Sequence, residues 1–161
     1  LLHIDWGNVH HSAPAFLQTV NNNIRMRFFT ELSPNDDPCS GVWDKNMVWY
    51  GPVGIGMATS CEEYQDHFLI PLHAAFSNTT FNIDVFTCEG SYCGVLGRFV
   101  GTHSGTWLGA KATRKVVGLR VGMHFRVNVE TELVEDSYAL MDIPDVFNQM
   151  GINLWDRLKE P

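Results

Sequence analysis

The chain has 161 residues, 45% hydrophobic and 18% charged, which suits one globular domain with a sizeable core and excludes a disordered chain. Its formal charge of -7 argues against nucleic acid as a partner, because gripping phosphates needs an excess of Lys and Arg. Neither half is basic, with three Lys/Arg against eight Asp/Glu in residues 1–80 and eight against ten in 81–161, and no apolar run approaches the roughly 18 residues of a membrane span.

The first third reads as helical. Ser12 can cap a helix with Pro14 in its first turn, and Leu17, Val20, Ile24 and Phe28 fall on one helical face. Turn-formers make residues 33–41 a loop, so residues 1–41 form a helical and loop lead-in. A short strand around "VWDKNMVWY" ends at Gly51-Pro52. Ser60 and Glu63 then have the spacing of a capping box, followed by Tyr64, Phe68, Leu72 and Phe76 at steps of four, with Pro71 as a kink or stop.

From residue 81 the period changes to two. Phe81, Ile83 and Val85 alternate with other residues, and Val117, Leu119, Val121, Met123, Phe125, Val127 and Val129 share one face of a long strand. A last strand spans about 132–142, and Asp142-Ile-Pro starts a short helix that Gly151 ends. Helices followed by consecutive strands, without βαβ alternation, give the α+β class: a bent antiparallel sheet with helices on one face, in a single domain over 1–161.

The glycine clusters do not make phosphate loops. Gly105 and Gly109 lack Walker spacing, and a strand follows them where a helix would be needed. Lys111, Arg114, Lys115 and Arg120 read as a solvated hairpin tip. His103 shares a face with Phe99 and Gly101, so it points toward the helices, either as a satisfied core histidine or as a catalytic one. His124 shares its face with Arg120 and Arg126 and belongs outside or at a subunit contact. His3, His10 and His11 lack metal-site spacing, so no metal is expected. Cys39, Cys61, Cys88 and Cys93 contain no C-x-x-C pair and read as free thiols in a reducing cytosol, with a Cys88–Cys93 bond across a turn as the alternative. The chain begins at Leu1, so the lack of a signal segment carries little weight; the expected location is the cytoplasm.

The strings "MVWYGPVGIG", "YQDHFLIPLHAAF", "GTHSGTWLGAKATRK" and "YALMDIPDVFNQMGI" resemble the SnoaL-like polyketide cyclases, of the NTF2-like or ketosteroid-isomerase-like superfamily. The resemblance runs in register from about 42 to 155. It implies an NTF2-like cone, a curved antiparallel sheet wrapped around N-terminal helices, and a homodimer joined through the sheet. It also implies a hydrophobic carbonyl compound as ligand and cyclase or isomerase chemistry without metal or cofactor, by proton abstraction beside a carbonyl.

Residue by residue, the resemblance puts His103 at the pocket histidine. The family's aspartate follows a tryptophan on the last strand, and that pair corresponds to Tyr138 and Ala139 here; sliding by one puts Tyr138 at the base. A second family acid corresponds to Met123. The base could be relocated to Asp136, two residues before Tyr138, with Trp43, Trp49, Tyr50 and Trp107 as aromatic walls. Two functions remain open: an acid/base enzyme built on His103 with Asp136 or Tyr138, and a small-molecule-binding protein that has lost the base.

Overall fold

Apolar residues at every second position commit most of the chain to strands with one covered face. The computed structural model describes Cys39 and residues 42–157. Six strands form one sheet: β1 (Trp43–Tyr50), β2 (Met57–Ala58), β3 (Phe76–Glu89), β4 (Tyr92–His103), β5 (Val116–Val127) and β6 (Val134–Met141). Their order is β2-β1-β6-β5-β4-β3. The helix read over 12–28 lies outside the described residues.

The expectation of a purely antiparallel sheet is corrected by one pair. β1 runs parallel to β6, with Trp49 beside Ser137 and Tyr50 beside Tyr138, while the other pairings are antiparallel. A parallel pair needs a long crossover, and everything from β2 to β5 supplies it.

Between β2 and β3 the chain is helical throughout: α1 (Cys61–Tyr64), a π-helical turn (Gln65–Leu69) and α2 (Ile70–Ala75). The predicted cap is present but shifted by half. Ser60 Oγ accepts from the Glu63 N–H at 3.1 Å, whereas the Glu63 carboxylate accepts from the backbone N–H and hydroxyl of Thr59, one residue before the cap. Pro71 does not stop the helix. It lies at the start of α2, directly after the wide π turn, where a missing N–H is tolerated. Phe76, read as helical, is instead the first residue of β3.

Tyr64, Phe68 and Leu72 bury against the inner face of the sheet. Trp49 stacks on Phe68 with ring centroids 4.9 Å apart, and His103 lies 5.3 Å from Phe76. The two contacts are thus eight residues apart along the segment that runs from the helix into β3.

α3 (Ile143–Met150) starts at Asp142, whose carboxylate accepts from the Asp145 N–H, and ends at Gly151 as the sequence predicts. The helix takes up the edge of β5 that β6 leaves free. Gln149 Oε1 accepts from the Gly118 N–H at 2.8 Å, and its Nε2 donates to the Gly118 carbonyl at 3.0 Å. A last turn, α4, covers Leu154–Arg157.

The expected free thiols are contradicted. Cys39 is bonded to Cys61 and Cys88 to Cys93, and no cysteine is free. Cys88 and Cys93 are register partners in the β3–β4 hairpin, so sheet pairing alone brings their sulfurs together. Cys39–Cys61 closes a sequence separation of 22, which in the chain-entropy picture stabilises the fold by about 3 kcal/mol. Cys39→Ser should lower the urea midpoint and steepen the slope, because the unbridged unfolded chain exposes more surface; an unchanged midpoint and slope would show that this bond does not constrain the unfolded chain.

Candidate functional site

His103 ends β4 and is fully buried. Its N–H donates to the Lys115 carbonyl and its carbonyl accepts from the Arg114 N–H, both at 2.9 Å, which fixes the backbone. The next two residues lock this point onto the end of α2, since the N–H groups of Ser104 and Gly105 both donate to the Ala75 carbonyl at 2.9 Å. Only glycine fits the second position: a Cβ on Gly105 would lie 2.2 Å from the Ala74 carbonyl oxygen. Leu108 and Gly109, both at positive φ, then turn the chain back so that Trp107 and Ala110 exchange hydrogen bonds of 3.0 and 2.8 Å. The glycine-rich string is therefore a folded hairpin, as its turn-formers predict, and it returns Thr113 to His103.

Thr113 decides the proton arrangement of the imidazole. Its backbone N–H donates to His103 Nδ1 at 3.3 Å, and its hydroxyl lies 3.1 Å from the same nitrogen. A nitrogen that accepts from an amide carries no proton, so the neutral ring bears its hydrogen on Nε2. Burial also pushes the His103 pKa below the ordinary value of 6.5. At neutral pH this histidine is an uncharged N–H donor. Its Nε2 is buried and has no hydrogen-bond partner among the described residues.

The relocated base does not reach it. Asp136 and Tyr138 lie on the outer face of β6, opposite the side that carries Ser137 and Ala139. Asp136 accepts from Arg126 Nε at 2.7 Å, and the same guanidinium is bonded to Glu135. Tyr138 stacks on Tyr50 with centroids 4.4 Å apart, and partial burial followed by the Tyr50 phenol raises its pKa, which opposes service as a base. Tyr50 is thereby also outside and not a pocket wall. The alternation of β6 is the reason: residues two apart share a face, and this pair shares the wrong one.

Met123 and Ala139, the positions expected from the resemblance to correspond to acids, are register partners on the inner face and both are buried, so a thioether and a methyl group lie side by side there. They do not adjoin His103. Met123 pairs with Val95, eight residues before His103 on β4. Trp43 and Trp49 pack on Tyr64, while Trp107 meets Phe76, which also contacts His103. No described carboxylate bonds to His103, and no three described His, Cys, Asp or Glu residues cluster as a metal site would require.

Three polar residues escaped the sequence reading. Thr113 was legible only once the hairpin was known. Ser137 could have been found by alternation with Ala139. His73, on α2, has both ring nitrogens buried without partners and a pKa lowered by burial, and it carried no sequence signal.

No family model matches the chain and no curated protein matches it in sequence. Solved structures do match. A Jannaschia sp. CCS1 protein named as a SnoaL-like polyketide cyclase superimposes with a TM-score of 0.73 at 16% identity, over 89% of this chain and 97% of that one. IdmH of Streptomyces antibioticus, named as a polyketide cyclase, gives 0.70 at 15% identity, over 82% and 99%. A protein with a ketosteroid-isomerase-like fold from Catenulispora acidiphila, solved with trimethylamine, gives 0.65 at 13% identity, over 80% and 92%. The fold of this chain is that of the SnoaL-like polyketide cyclases and their NTF2-like relatives.

The unfolded imidazole binds a proton near pH 6.5 and the folded ones of His103 and His73 bind it only at lower pH. Both therefore contribute stability that is full above about pH 6.5 and is lost as pH falls toward their folded values. Urea midpoints should decline over that acid range, and more shallowly in His103→Asn. Long-range nitrogen–proton NMR at pH 7 should find Nδ1 of His103 unprotonated; a proton there would overturn the tautomer.

Proposed function

We propose that this protein binds an apolar small molecule through a carbonyl or similar acceptor oxygen, with His103 Nε2–H as the central donor. The observation that carries this reading is the buried, partnerless Nε2–H, held in one tautomer by Thr113. An unsatisfied buried donor costs about 1–3 kcal/mol, and a ligand oxygen would remove that cost. The aromatic surroundings of Phe76 and Trp107 suit an apolar ligand body, of the polyketide-like kind that the structural neighbours' names suggest.

Binding without acid/base catalysis is the favoured form. Aldol cyclisation requires a base beside the carbonyl, and the described sheet offers Met123 and Ala139 where the family keeps its acids. One observation supports the enzymatic alternative: a neutral imidazole N–H is the group that polarises a carbonyl toward its enolate, so a base supplied from elsewhere in the chain would complete the site. A neutral aryl ketone, 2-acetylnaphthalene, separates the two. Its affinity should fall about tenfold in His103→Phe, the worth of one hydrogen bond near 1.4 kcal/mol. Exchange of its methyl protons in D2O should match buffer alone; exchange above buffer makes the protein an enzyme, and equal affinity in the variant refutes the role of His103.

The assembly in this proposal is a homodimer through the outer sheet face. Leu96 and Leu140, 55% and 78% exposed, flank Gly122 in one row across β4, β5 and β6. With Pro52, Val53 and Leu154 they line a groove of about 900 Å³. Exposed apolar patches of this kind mark contact surfaces. Leu140→Asp should shift the sedimentation coefficient from dimer to monomer; a wild type that sediments as a monomer refutes the assembly. With all four cysteines bonded, the protein is proposed to fold in an oxidising compartment rather than the cytoplasm. No helix among the described residues is long and apolar enough to cross a membrane.

A further inference from the structure

We infer that Ser137 and Trp49 form a second polar anchor on the inner face of the sheet, which takes a hydroxyl or carbonyl oxygen at the far end of the ligand from His103. This rests on the reading that the interior binds an apolar carbonyl compound. The two residues are register partners on adjacent strands, and both are 0% exposed. Ser137 Oγ and Trp49 Nε1 are each buried without a hydrogen-bond partner among the described residues.

Neither group can mend this by moving within its surroundings. The indole is fixed between Phe68, stacked at 4.9 Å, and Tyr64 at 5.1 Å, and its Cη2 lies over Gly51, where a Cβ would come within 2.2 Å. Its Nε1–H direction is therefore set. Ser137 has Trp49 as its neighbour on β1 and Phe125 as its neighbour on β5, so neither flanking side chain offers it an acceptor. Two adjacent orphaned groups in an otherwise apolar wall are costly, and an alanine and a phenylalanine would fill the same space without that cost.

One oxygen placed between them satisfies both, accepting from the indole N–H and exchanging a hydrogen bond with the serine hydroxyl. Trp49 contacts Phe68 and His103 contacts Phe76, eight residues further along the chain, so the two anchors meet different parts of the segment that runs from the helix into β3. The ligand class that fits is an elongated, uncharged, largely aromatic compound with an oxygen function at each end. The absence of any described carboxylate bonded to either anchor agrees with an uncharged ligand.

The test compares 6-acetyl-2-naphthol with 2-acetylnaphthalene, which lacks the distal hydroxyl. Wild type should bind the naphthol about tenfold more tightly, one hydrogen bond's worth. Ser137→Ala should reduce that preference, since only the Trp49 indole N–H is left to hold the distal oxygen, and should raise the Tm of the empty protein because an orphaned hydroxyl is gone. The indole N–H resonance of Trp49, assigned with Trp49→Phe, should move downfield with the naphthol only. Equal affinity for the two probes in wild type, or a Trp49 signal that neither probe moves, overturns the proposal; the second outcome would leave a trapped water as the partner. A reduced preference in Ser137→Ala with no effect of His103→Phe would retain this anchor and refute the role of His103.

Discussion

The register of β6 against β5 is the constraint on which the rest of the molecule depends. Met123 opposite Ala139 and His124 opposite Tyr138 fix which half of β6 faces the helices. A slip of one residue would exchange the faces. Asp136, Tyr138 and Leu140 would then line the interior, and Ser137 and Ala139 would meet solvent. The hydrophobic pattern forbids this, because the buried row of β5 from Val117 to Val127 must meet apolar or small neighbours. Among the described residues, sheet pairing alone thus keeps Asp136 and Tyr138 off the inner face.

Among the described residues, the polar groups buried on the inner side at His103, Ser137 and Trp49 are neutral, and all are donors or can be. His103 is kept uncharged by burial and kept in one tautomer by a backbone amide, which cannot change protonation as a carboxylate partner would. The usual orienter of an active-site histidine is an acid that also stabilises its cation. Thr113 does the reverse: by donating to Nδ1 it penalises the doubly protonated ring. The site is therefore arranged to hold a proton at Nε2 steadily, which suits recognition of an acceptor better than proton shuttling.

Much of the fold could be read from the chain, and the reasons differ by element. The seven alternating apolar residues from Val117 predicted β5 closely, and Asp142 with Gly151 bounded α3, because both signals are local. The parallel placement of β1 beside β6 was not legible, since it joins residues about ninety positions apart through pairing that leaves no local trace. Phe76 was misread because a helical step of four continued past Ala75. For the site, the resemblance named His103, but the surroundings of its ring depend on a hairpin returning Thr113, which no local pattern announces. Asp136 failed for a different reason. Its face was inferred from that of Tyr138, whose own orientation was assumed rather than fixed by a buried neighbour.

Gln149 has a consequence for the sheet as an aggregate-forming surface. Where β6 stops, β5 would present the Gly118 N–H and carbonyl as a bare docking point for a foreign strand. The primary amide of Gln149 offers one donor and one acceptor in the spacing of a peptide unit and bonds both groups. A single side chain thus serves as a one-residue imitation of a neighbouring strand, and it is held in that pose by the Asp145 carboxylate, which accepts from its Nε2 at 2.8 Å. The sheet is closed to further growth at this point by a helix that contributes no backbone to it.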